Sequence, residues 1–101
     1  MTNSLSWEDQ MVLQVVTLPG HRLLIRFADG WRLLDLSVEV AHSGILARIF
    51  DPKEFAKVWV DGWGCLIWPA GVEIAGDTLY QDSEPVDDEE AMRVLRGAGW
   101  A

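Results

Sequence analysis

Apolar residues recur along this chain with two different periods. Over residues 12–18 and 22–27, Val, Leu, Ile and Thr dominate and the runs end at turn residues, which predicts two strands. Leu18-Pro19-Gly20-His21 separates them. A third strand is predicted over 31–36, after Asp29-Gly30. That dipeptide favours a two-residue type I′ hairpin, whose central residues both take positive φ. Such a turn pairs Ala28 with Trp31, Ile25 with Leu34 and Leu23 with Leu36. A three-residue Pro19-Gly20-His21 loop sets Val15 opposite Ile25 and Leu13 opposite Phe27. Together the two registers gather Leu13, Val15, Leu23, Ile25, Phe27, Leu34 and Leu36 on one face. A one-residue slip would scatter them. The other face carries Gln14, Arg26 and Asp35, but also Val12, Val16, Leu24, Trp31 and Leu33. A solvated face is more polar, so the tail helix or a second copy is expected to cover it.

Beyond the meander the signals shorten. Ala41, Ile45 and Ile49 have helical spacing, interrupted by Gly44, and residues 37–50 stay unassigned. Asp51-Pro52-Lys53-Glu54-Phe55 reads as an N-cap, a proline in the first turn and a short helix. Val58-Trp59-Val60 and Cys65-Leu66-Ile67-Trp68 predict two short strands joined around Asp61-Gly62-Trp63-Gly64, with Pro69 ending the second. Residues 77–80 form a short turn or helix. Residues 87–96 predict a helix with acids at its start, Arg93 and Arg96 at its end, Met92 and Leu95 as its apolar stripe and Gly97 as its stop. The expected fold class is α+β: an antiparallel meander of three strands plus a two-stranded unit, with two or three short helices packed on the sheet. A flexible segment over 1–11, one domain over 12–80 and an acidic segment with a short C-terminal helix over 81–101 complete the layout.

Composition narrows the class. The chain has 101 residues, half of them apolar, a length that fits one domain of roughly 100 residues. No apolar run approaches the roughly 20 residues of a membrane span. The first residues show neither a basic n-region nor an apolar h-region, and Cys65 is the lone cysteine, so a cytoplasmic protein without disulfides is expected. The net charge is −8, and seven of the sixteen acids lie between Asp77 and Glu90 with no Lys or Arg among them. Such a block reads as a solvated segment. Phosphate affinity needs a basic footprint, so direct nucleic-acid binding is not expected, although Arg22, Arg26, Arg32 and Arg48 offer a local patch.

No residue set identifies a reaction, and the chain is not expected to be an enzyme. Cys65 lies in an apolar strand, where a thiol packs. Ser37 and Ser43 lie near His42 only in sequence. His21 and His42 lack companions at zinc-ligand spacing. Asp51, Asp61, Glu73 and Asp77 lack a recognisable cation-loop spacing, and Asp51 and Asp77 read better as helix caps. No cofactor is expected. The six tryptophans stand out. Trp59 is out of phase with Val58 and Val60, which places it on an outer face. Trp63 lies between two glycines in a loop. Trp68 precedes Pro69-Ala70-Gly71, where it either anchors the sheet or presents an aromatic edge. Exposed aromatics are enriched at interface hot spots, so Trp59, Trp63 and Trp68 are the candidate interaction residues.

The order Phe27-Ala28-Asp29-Gly30, Asp35-Leu36-Ser37, Phe50-Asp51-Pro52-x-x-Phe55-x-x-Val58 and Trp68-Pro69-Ala70-Gly71-x-x-Ile74-x-x-Asp77-x-Leu79-Tyr80 resembles the bacterial domain-of-unknown-function family numbered 2442, over about residues 12–80. The resemblance implies a small α+β domain with no established catalysis. Some relatives carry a C-terminal helix-turn-helix, and members often sit beside a small partner in operons resembling toxin–antitoxin pairs. Here Ala70 and Glu73 replace the family's usual Asn and Asp, and residues 81–101 are too short and acidic for a helix-turn-helix. The expected function is a non-catalytic protein-interaction module that self-associates or binds a small operon partner. The alternatives are a regulator or antitoxin-like subunit acting on nucleic acid through a partner, and a small-ligand binder with a pocket lined by Trp63, Trp68 and carboxylates.

Overall fold

The structure is a computed structural model and describes residues 9–42 and 44–99. Three strands, β1 (Gln14–Leu18), β2 (Arg22–Phe27) and β3 (Gly30–Asp35), form the expected meander. Leu18 pairs with Arg22 and Val15 with Ile25, so the first hairpin has the three-residue loop and register read from the sequence. The second hairpin differs. Phe27 pairs with Gly30 and Leu23 with Leu34, two positions away from the Ala28–Trp31 register. Ala28 and Asp29 make the turn. Only Gly30 there takes positive φ, +131°, whereas a type I′ turn would need Asp29 to do so as well. The Asp29 carboxylate instead accepts the Tyr80 hydroxyl. A two-residue shift preserves which face each side chain occupies, so Leu23, Ile25, Phe27 and Leu34 still share one buried face.

Leu13 does not join that face. It is 56% exposed, and Val12 is buried in its place. The Leu13 amide donates to the Arg26 carbonyl, although Gln14 is the partner of Arg26. Two residues thus oppose one, as in a β-bulge, and alternation is broken there.

Each predicted sheet gains a strand. The chain continues through α1 (Ser37–His42), a 3-10 turn (Leu46–Ile49), α2 (Pro52–Phe55), β4 (Trp59–Val60), β5 (Leu66–Trp68), β6 (Val72–Ile74), α3 (Gly76–Asp82), β7 (Glu84–Val86) and α4 (Asp88–Gly97). The sheets are β1-β2-β3-β7 and β4-β5-β6, with antiparallel pairing throughout. Asp51 caps α2, accepting the Lys53 amide at 2.8 Å, with Pro52 in its first turn. Asp77 is no cap: it lies inside α3, whose N-cap is Ala75. In the 37–50 stretch, Ala41 and Ile45 are exposed, and Val40 and Ile49 are the buried anchors.

The acidic tail is part of the fold. β7 lies along β3, with Arg32 opposite Pro85, a residue tolerated on an edge strand because its missing amide faces away from the ladder. Arg32 fixes the approach: its Nε donates to Ser83 Oγ at 2.8 Å and its Nη2 to the Ser83 carbonyl at 2.7 Å. Its guanidinium also lies 4.1 Å from the centre of the Tyr80 ring. Asp87 then caps α4 by accepting the Glu90 amide at 2.7 Å, and the acids of the first turn suit the positive helix end.

Two cores result. The larger packs Leu23, Ile25, Phe27 and Leu34 against Leu66, Trp68 and Val72 of the smaller sheet, closed by Val40, Ile49, Phe55 and Leu79. The smaller lies on the meander's other face, where Leu18 and Leu24 meet Ala91, with Val94 and Leu95 alongside. The cover for that face is therefore α4. Ala91 is its buried contact, with Val94, Leu95 and the C-cap Ala98 half-buried alongside, while Met92 points outward, 49% exposed. Of the N-terminal segment 1–11, residues 1–8 lie outside the described residues, as do Ser43 and Trp100. Gln10 is not loose: its carbonyl presses on Gly76 so closely that any Cβ there would collide with it.

Candidate functional site

Strand alternation builds an outer surface on the smaller sheet. Trp59, Ile67 and Glu73 form one cross-strand row. Side chains in a row share a face, and this row lies opposite to Leu66, Trp68 and Val72 of the core. Asp61 and Cys65 continue the outer face, since the Asp61 amide donates to the Cys65 carbonyl at 3.0 Å. Trp59 is 47% exposed and Trp63, in the β4–β5 turn, is 74% exposed. Asp61, Cys65 and Ile67 on this face are half-buried, and Gln10 and Met11 border it beside Trp63 and Cys65.

Trp68, the third sequence candidate, is not at the surface. It is 1% exposed, and its indole N–H donates to the Phe55 carbonyl at 2.9 Å inside the core. Its even position on β5 assigns it to the inner row, so it anchors the two sheets and cannot meet a partner. The Trp59 and Trp63 assignments as exposed side chains agree with the structure.

Asp61, Cys65 and Glu73 each bring one donor atom within 4.8 Å of the others. Asp61 Oδ1 already accepts the Trp63 and Cys65 amides, both at 2.9 Å, which shapes the turn that displays Trp63. Partial burial pushes the Cys65 thiol above its ordinary pKa, and the nearby carboxylates of Asp61, Glu73 and Asp77 push the same way. Such a thiol is a poor nucleophile at neutral pH. Of the four acids grouped in the sequence, Asp51 lies in the α2 cap.

The four arginines are dispersed. Arg26 and Trp31 are paired on the α4 side of the meander, Arg32 projects to the other face towards Ser83 and Tyr80, Arg22 Nε donates to the Pro19 carbonyl, and Arg48 reaches Gly71. The acids from Asp77 to Glu90 are all exposed, and the segment is held to the domain by Leu79 in the core, by the β3–β7 pairing and by Arg32 through Ser83 and Tyr80.

A second feature went unread in the sequence. A cleft of about 570 Å³ opens between the end of β3, α1, the 3-10 turn, β6 and α3. Leu36, Leu46 and Leu79 supply apolar lining, and Asp35, Glu39, Glu73 and Asp82 line it with carboxylates, with no basic side chain among the lining residues. It does not include Trp63 or Trp68. Of these, only Glu73 carries a candidate role in the sequence. The other acids are spread over nearly fifty positions with no shared motif, so only tertiary packing brings them together. Asp35 Oδ1 accepts the Ser37 amide at 2.8 Å. Hydrogen bonds from Ser37, side chain first and then backbone, hold its carboxyl below the usual range, helped by Arg22.

No family model matches this chain, and no curated protein or solved structure does either. Among the described residues, no helix is long and apolar enough to cross a membrane.

Proposed function

We propose that this chain is a non-catalytic protein-interaction module that docks a partner, another protein or a second copy, on the outer face of its smaller sheet through Trp59 and Trp63. The observation that carries this reading is the asymmetry of burial. Both faces of the meander sheet pack against other elements. The smaller sheet buries one face and leaves two large aromatics on or beside the other. Trp is the residue most often found at interface hot spots, because it removes much apolar area from water with little loss of side-chain freedom. The motif order resembling family 2442, whose members often neighbour a small partner, agrees with such a role.

Sedimentation of the purified chain and capture from native lysate, each done with wild type and Trp63→Ala, test it. Self-association, or one captured protein in fixed stoichiometry, should be lost in the variant while its melting temperature stays nearly unchanged. Retention of both species by the variant would refute the reading, as would a monomer that captures nothing.

A further inference from the structure

The cleft is lined by three consecutive residues from each of two extended segments, Leu34-Asp35-Leu36 where β3 ends and Val72-Glu73-Ile74 of β6. Successive side chains of a strand point to opposite faces, so three consecutive residues share only the strand's edge. Neither edge carries a further strand there among the described residues. β6 ends the smaller sheet, and β7 pairs with β3 only from Trp31 to Leu33. An unpaired edge offers backbone donors and acceptors to an incoming strand.

We propose that this cleft docks an extended basic peptide segment of another protein, added along the free edge of β6. Alternate side chains of that segment enter the apolar lining around Leu46 and Leu79. The intervening lysine or arginine side chains meet Glu39, Glu73 and Asp82. Charge selects this occupant: four carboxylates line the cleft and no basic side chain accompanies them. A second copy would bring the same carboxylates against these, and like charges across an interface oppose association. The carboxylates thus guard the edge against self-pairing and leave it open to a basic strand. This site is separate from the Trp59–Trp63 face, with Glu73 at their junction, and it stands or falls on its own test.

The test is a titration of the full chain, isotopically labelled and followed by NMR, with an end-capped hexapeptide of alternating lysine and valine. A glutamate–valine hexapeptide and n-hexylamine serve as comparisons. Saturable shifts at the amides of residues 34–36 and 72–74 are expected with the basic peptide alone. Affinity should fall roughly tenfold when salt is raised from about 50 to about 300 mM, since exposed charges are screened beyond about a Debye length. Glu39→Gln with Glu73→Gln should weaken binding about tenfold, as removing rim charges does. Both carboxylates are exposed, so the double variant keeps its fold. Trp63→Ala should leave the titration unchanged. Absent shifts, equal binding of the acidic peptide, or insensitivity to the double variant would overturn the proposal. So would loss of binding in Trp63→Ala, which would move the peptide to the outer face. Hexylamine binding as tightly as the peptide would reassign the cleft to a small cationic amphiphile.

Discussion

The two sheets are built from similar short hairpins and end in different situations. In the meander, both faces of β2 are apolar: Leu23, Ile25 and Phe27 face one core and Leu24 the other. In the smaller sheet the rows divide cleanly, with Leu66, Trp68 and Val72 inside and Trp59, Ile67 and Glu73 outside. The comparison separates two uses of aromatic area. Trp68 holds the layers together, whereas Trp59, nine residues away and in the opposite phase, is half-exposed on the outer row. Burial of a large ring is a stability device only where its row faces the core.

Several substitutions sharpen or break this contrast. Trp68→Ala should have the largest effect, about 3–5 kcal/mol, because it empties the space between the sheets and leaves the Phe55 carbonyl without its donor. Urea denaturation would show it as a lower midpoint. A loss below about 1 kcal/mol would mean that the smaller sheet is not part of the core. Leu24→Ala should cost about 2–3 kcal/mol, less because the smaller core beneath α4 can collapse in part. If it were neutral, α4 would not be the cover of that face.

Asp35→Asn should cost about 0.5 kcal/mol at neutral pH, a figure reduced for solvent screening at an exposed site. Its sign with pH is fixed. A carboxyl whose pKa is lowered in the folded state from the ordinary 3.8 contributes stability above that value. The contribution is lost as pH falls through the folded pKa, so wild type and variant should converge in acid. A constant difference from pH 7 to pH 2 would show that the Ser37 bonds do not depend on the charge. The smallest effect belongs to Trp63→Ala, within about 0.5 kcal/mol of wild type. A large drop in melting temperature would place Trp63 in the core and remove the difference between the two sheets.

The parts of the fold legible in advance were those with local signals. The Pro19-Gly20-His21 loop set its register, Asp51-Pro52 started a helix, and phase alone placed Trp59 outside. The missing strands were the short ones. β7 contains Glu84 and Pro85 within an acidic run, and nothing local distinguishes it from a linker. It becomes a strand because Arg32, fifty-one positions before Ser83, clamps that residue through both its hydroxyl and its carbonyl. The second hairpin departs by two residues from the register its Asp29-Gly30 signal predicts, and the Asp29 carboxylate there accepts the hydroxyl of Tyr80 of α3. Trp68 could be read either way until the inner and outer rows of β5 were fixed by its partners.

By itself, the sequence determined the α+β class, the shared face of Leu23, Ile25, Phe27 and Leu34 and the outward phase of Trp59. These follow from period-two alternation and turn chemistry, which act over a few residues. Only the tertiary structure decided that α4 covers the meander, that Trp63 is exposed and that two strand edges carry no further strand among the described residues. It alone joins Asp35, Glu39, Glu73 and Asp82 around one cleft. Such features depend on contacts between segments distant in the chain, where long-range packing and charge, rather than local backbone preference, set the outcome.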